Sequence, residues 1–168
     1  MHQVLARLGF GVVGFVPDAG HKRLIELCQA DAPRMRAVVM STEEEGIGLA
    51  TGAWLGGAKT VLLMQSSGVG NIVNALGMVR ECRIPLLVIV TMRGEYGEFN
   101  PWQVPMGQAT AGVLGAMGVA VRHADSPAEV PEHVDAAARL AFGSYGAAAV
   151  LVSQRVIGIK SFQEQASQ

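Results

Sequence analysis

Apolar, β-branched runs of strand length alternate along the chain with segments of helical periodicity. Residues 11–16, 36–40, 60–64, 86–91, 119–122 and 148–152 read as six strands. Their near-continuous hydrophobicity predicts strands covered on both faces, as in a parallel sheet. Residues 20–29, 42–56, 70–81, 109–117 and 128–142 predict the intervening helices. Ser126-Pro127-Ala128-Glu129 opens the last of these with an N-cap and a first-turn proline. The alternation predicts an α/β fold, a three-layer αβα domain around a mainly parallel six-stranded sheet. No repeat or linker interrupts it, so residues 1–168 read as one domain, with the polar stretch 159–168 as a flexible tail.

One connection departs from the pattern. Residues 93–108 are rich in glycine, proline, aromatics and side-chain amides, and read as a long loop. Loops of that length in a compact domain are usually functional, and this one begins where a strand ends. Three other segments fall at strand ends, where open α/β sheets bind ligands. Val16-Pro17-Asp18-Ala19-Gly20-His21 follows the first strand, with Asp18 as a helix start and His21 as a solvated first-turn residue. Glu43-Glu44-Glu45 follows the second. Ser41 or Thr42 would cap that helix, and Glu44 or Glu45 would complete a capping box and complement the helix dipole. A catalytic glutamate there would instead need partial burial. Gln65-Ser66-Ser67-Gly68-Val69-Gly70-Asn71 follows the third strand and can offer amide donors to an anion or polar ligand. It lacks the third glycine of a dinucleotide fingerprint, since position 73 is Val, and the Gly-Lys-Ser/Thr ending of a P-loop.

Gly48, Gly52 and Gly56 line one stripe of the helix after the glutamates. Each costs about 1 kcal/mol of helix propensity relative to alanine. The stripe reads either as close packing on the helix's own sheet or as a subunit interface.

Composition narrows the function. Half of the 168 residues are hydrophobic, only 16% are charged and the net charge is −1, with no basic cluster, so electrostatic nucleic-acid binding is not expected. No run is long enough to span a membrane, and the N-terminus does not read as a signal peptide. Cys28 and Cys82 lack metal-ligand spacing and read as buried thiols of a cytoplasmic protein. His123 and His133 read as surface residues, and no serine–histidine–acid or metal-ligand spacing is evident.

The run from Ser41 to Ala53, Ser-Thr-Glu-Glu-Glu-Gly-Ile-Gly-Leu-Ala-Thr-Gly-Ala, followed by Met64-Gln65-Ser66-Ser67-Gly68-Val69-Gly70-Asn71, resembles the pyrimidine-binding (Pyr-type) domain of thiamine diphosphate-dependent decarboxylases. Arg93-Gly94-Glu95 and Gln103-Val104-Pro105-Met106-Gly107 narrow the resemblance to the sulfopyruvate decarboxylase alpha subunits and phosphonopyruvate decarboxylases. It extends over residues 11–157. The resemblance implies that Glu43, nine residues before Gly52, is the family's functional glutamate. Its implied role is a hydrogen bond to N1′ of the cofactor's aminopyrimidine. Ser67, Gly68, Val69 and Asn71 would join it in binding thiamine diphosphate, and Asp18, His21, Arg93 and Gln103 would face the 2-oxo acid. Arg93 could equally pair with Glu95 or Glu98. The implied reaction converts 3-sulfopyruvate to sulfoacetaldehyde and carbon dioxide. Phosphonopyruvate or another short 2-oxo acid is the alternative, as is a non-catalytic module on the same fold. Family enzymes hold the diphosphate and Mg2+ through a Gly-Asp-Gly … Asn-Asn motif, and this chain has no Gly-Asp or Asn-Asn pair. The resemblance therefore implies no metal ligand here, a beta subunit carrying the diphosphate (PP) domain, and self-association through the Pyr domain.

Overall fold

A computed structural model of the chain describes residues 1–158; the tail expected to be flexible, 159–168, lies outside the described residues. Six strands form one sheet: β1 (Phe10–Phe15), β2 (Arg36–Val39), β3 (Lys59–Gln65), β4 (Leu86–Thr91), β5 (Ala120–Ala124) and β6 (Ala147–Val152). Their order is β2-β1-β3-β4-β6-β5, and every neighbouring pair is parallel. The helices are α1 (His2–Arg7), α2 (Lys22–Ala30), α3 (Glu43–Leu55), α4 (Ser66–Ile72), α5 (Leu76–Glu81), α6 (Gln103–Ala116), α7 (Val130–Ser144) and α8 (Gln154–Ile157), with a 3-10 turn at Ala19–His21.

Alternation along the strands divides the core. Val13, Val61, Leu63, Leu87, Ile89 and Val150 pack with Leu5, Leu24, Val134 and Ala138, on the side of α1, α2 and α7. Leu62, Met64, Leu86, Val88, Val90 and Leu151 pack with Ile47, Ile72, Val79 and Leu114, on the side of α3 to α6. Strands apolar on both faces therefore sit between two helical layers, the arrangement their sequences predict. Among the described residues, no helix is long and apolar enough to cross a membrane.

The helix boundaries needed correction. Helix α6 begins at Gln103 rather than 109, so the loop after β4 is shorter than 93–108. Pro105 lies in its first turn, where a missing N–H costs no helical bond. The predicted helix 70–81 is two helices, and the first starts at Ser66, four residues earlier than predicted. Burial of Val69 and Ile72 outweighs the weak propensity of Gly68 and Gly70. Helix α7 starts at Val130 with Pro131 in its first turn, so Ser126-Pro127 precedes the helix rather than capping it. Helices α1 and α8 had no sequence prediction. Cys28 is buried as expected, but Cys82 is exposed at the end of α5.

Two glycines let α3 close on the sheet. A Cβ on Gly14 would lie 2.9 Å from methyls of Leu49 and Leu62, and one on Gly46 would lie 3.0 Å from Leu62. The stripe differs. Added Cβ atoms on Gly48 and Gly52 would meet nothing within 4 Å among the described residues, so close packing on the sheet does not account for them.

Candidate active site

The predicted site residues follow the carboxyl ends of β1, β2, β3 and β4. Glu43 is the first residue of α3, and Thr42 is its N-cap without a side-chain cap bond. Burial separates the three glutamates: Glu43 is 8% exposed, whereas Glu44 and Glu45 are exposed. Glu45 Oε2 accepts the Ser41 N–H at 2.9 Å, a helix-start role. Glu43 Oε2 accepts from Asn71 Nδ2 at 2.8 Å, while Oε1 accepts no hydrogen bond among the described residues. A Cβ on Gly68 would overlap the Glu43 carboxylate, so only glycine lets α4 approach so closely. Ser67 is exposed; the Val69 side chain is in the core, leaving its backbone as the part able to face a ligand.

Asp18 ties three strand ends together. Its Oδ1 accepts from Gln65 Nε2 at 2.9 Å, and its Oδ2 accepts from Thr91 Oγ1 at 2.7 Å and from the Gly20 N–H at 3.1 Å. Gln65 and Thr91 are register partners across β3 and β4, which places both within reach of one carboxylate. His21 is not solvated. It is 1% exposed, with Nε2 at 3.2 Å from the Met64 carbonyl oxygen and 3.1 Å from that of Ile89. Carbonyls only accept, so Nε2 carries the hydrogen. Burial holds the imidazole pKa below its ordinary value, against the opposing pull of Asp18 and the two carbonyls.

The segment after β4 is built around Glu98. Its carboxylate accepts from Arg93 Nε at 2.7 Å and Nη2 at 2.6 Å, from the Gly94 N–H at 3.2 Å and from the Asn100 N–H at 3.0 Å. The Arg93 and Glu98 side chains are 6% and 3% exposed. Burial alone would raise the Glu98 pKa, but the Arg93 guanidinium and the backbone donors hold it down to about 2. Arg93 thus pairs with Glu98, not Glu95, and Phe99 lies under its guanidinium at 5.6 Å. The Arg93 N–H also reaches Ser66 Oγ at 3.1 Å, joining the segment to α4. Gln103, at the start of α6, has a buried Oε1 without a hydrogen-bond partner among the described residues.

Gln154 was absent from the sequence reading. It is 2% exposed at the start of α8 and bonds to Glu95, Tyr96 and Glu98. Its place just beyond a strand end was the only sequence signal for it. Among the described residues, no group of three or more His, Cys, Asp or Glu could hold a metal ion. The donor set suits the organic part of the implied cofactor: a nearly buried carboxylate, oriented by Asn71, keeps one oxygen without a hydrogen bond among the described residues.

No family model matches the chain. It is 39% identical over 138 residues to the sulfopyruvate decarboxylase subunit alpha of Methanothermobacter thermautotrophicus, covering 82% of this chain and 83% of that one. It is 35% identical over 153 residues to the subunit of the same name from Methanococcus maripaludis, covering 90% and 91%. Among solved structures it resembles the 2-oxoglutarate:ferredoxin oxidoreductase from Magnetococcus marinus, determined with 2-oxoglutarate, coenzyme A and succinyl-CoA bound. The TM-score is 0.77 at 17% identity; the match covers 94% of this chain and 28% of that one, a likeness of fold.

Proposed function

The chain belongs to the sulfopyruvate decarboxylase alpha-subunit family, and from that premise we propose that it is the pyrimidine-binding subunit of a two-chain thiamine diphosphate-dependent decarboxylase acting on 3-sulfopyruvate. The observation that carries this reading is the state of Glu43: nearly buried, oriented by Asn71, and left with one oxygen unbonded among the described residues. A carboxylate in that state can accept a hydrogen bond from a protonated ring nitrogen of an aminopyrimidine and so favour that protonation. When bound, thiamine diphosphate supplies the electron sink that lets carbon dioxide leave a 2-oxo acid. The protein's part is to hold, orient and exclude water. Glu43 would hold the aminopyrimidine through its open oxygen, and Ser67, Gly68, the Val69 backbone and Asn71 would line the place beside it. Asp18, His21, Arg93 and Gln103 belong to the substrate side, with Asp18 holding Gln65 and Thr91 in place.

The diphosphate and its Mg2+ are assigned to a beta subunit, because the motif that would hold them is absent from this sequence. The open glycine stripe of α3 supports burial against another chain, either that partner or a second copy. The test is to co-purify the chain with its partner and follow carbon dioxide release from 3-sulfopyruvate, phosphonopyruvate and pyruvate. The reading expects 3-sulfopyruvate to be preferred, the separated chain to be inactive, and E43Q to assemble normally but turn over poorly. Near-normal turnover by assembled E43Q would overturn the role of Glu43, and turnover by the rigorously separated chain would overturn the need for a partner.

A further inference from the structure

Arg93 and Gln103, two of the four residues assigned above to the substrate side, lie at the ends of residues 93–103, and that segment is held from outside itself. Gln154 Oε1 accepts two consecutive backbone donors, Glu95 N–H at 3.0 Å and Tyr96 N–H at 2.9 Å. Its Nε2 donates to Glu98 Oε2 at 3.0 Å. The bond is returned: the Gln154 N–H donates to Glu95 Oε2 at 2.9 Å. Two N–H donors at one end and a carboxylate at the other dictate the amide's orientation. They also restrict which residue can serve. Glutamate would set a negative oxygen against Glu98, and asparagine is one methylene shorter.

We propose that Gln154 is a positioning residue for substrate recognition. It latches residues 94–98 to the end of β6, so that the segment enters α6, and Gln103 at its start, in one geometry. The chain of contact is continuous. Glu98 binds Arg93 through two nitrogens, and the Arg93 N–H is anchored on Ser66. A Cβ on Gly107 would overlap the Arg93 carbonyl, and one on Gly94 would come 2.6 Å from Val104 Cα, so α6 is seated directly on the latched backbone. The Arg93 guanidinium is consumed in this frame. It acts on the substrate side through the segment it holds rather than as a lone cation for the acid headgroup.

This inference rests on the functional reading above, and Q154M separates the two. In the isolated chain, amide exchange at Glu95 and Tyr96 should quicken at least about tenfold, with α3 and α4 unaffected. In the assembled enzyme the KM for 3-sulfopyruvate should rise at least about tenfold while kcat stays within about threefold, because Glu43 is untouched. E95A, at an exposed position, removes only the returned bond; it should move both readouts the same way by less, and it decides the matter if Q154M fails to fold. Unchanged exchange over residues 94–98 would overturn the latch. Faster exchange with KM unmoved would overturn its link to substrate. If the assembled wild type releases no carbon dioxide from any 2-oxo acid tried, the functional reading fails instead, and the exchange result alone decides the latch.

Discussion

Glu43 and Glu98 lie on the same edge of the sheet and are both largely shielded from water, yet their surroundings are opposite. Glu98 receives five hydrogen bonds, two of them from a guanidinium. Glu43 receives one, from a neutral amide. The first carboxylate has no bonding capacity left and is held ionised; the second keeps an acceptor in reserve. A carboxylate that organises a loop saturates its lone pairs within the chain, whereas one meant for a ligand must not. Burial alone would not have told them apart.

Substitution of the two glutamates should separate them most sharply. E43Q in the assembled enzyme is expected to lower kcat about a thousandfold, within the range for loss of a proton-handling group, with a melting temperature close to wild type. E98A should do the reverse in the isolated chain. It leaves the Arg93 charge buried without a partner and should cost about 3–5 kcal/mol in urea unfolding. If E98A proved as stable as wild type, the contrast would collapse.

Acid gives a second route to the same comparison. The Glu98 pKa is depressed in the folded chain, from 4.5 to about 2. A depressed carboxylate stabilises fully above its unfolded value, and that stability fades as pH falls toward the folded value. About 3 kcal/mol should therefore be lost between roughly pH 5 and pH 2, and E98Q should flatten the stability curve across that window. Urea titrations at successive pH values would measure both.

A glycine sits against each region. G68A pushes a Cβ into the Glu43 carboxylate, and G107A pushes one into the Arg93 carbonyl. Each should cost about 1–3 kcal/mol of strain. G68A should affect activity more than melting, and G107A melting more than cofactor affinity. The smallest change is expected outside both regions. G52A meets nothing within 4 Å and should stabilise the isolated chain by up to about 1 kcal/mol. If the stripe is an interface, the same substitution should weaken assembly, as light scattering of the mixed chains would show.

All six strands and their parallel arrangement were legible because their apolar runs carry the signal locally. Helix starts rich in glycine or proline were not: α4 forms because Val69 and Ile72 have a core to enter, which no local propensity reveals. At the site, family register pointed to Glu43 within the triplet; burial sets Glu43 apart from the exposed Glu44 and Glu45. His21 was misplaced because a histidine in a first turn gives no sign of which way it points. The Asp18 and Gln154 contacts escaped because their partners lie 47 to 73 and 56 to 59 residues away.

The strand order carries a consequence for biosynthesis. Among the described residues, strand β6 is the last in sequence but lies between β4 and β5, and β5 pairs with no other strand. A growing or prematurely terminated chain that stops before Ala147 can align β2, β1, β3 and β4, but leaves β5 detached and one edge of β4 bare. Exposed edges of that kind invite pairing with other molecules. The apolar segment Ala147–Val152 thus works as a closing wedge. It joins β4 to β5 and carries Gln154 to its bonds with Glu95, Tyr96 and Glu98.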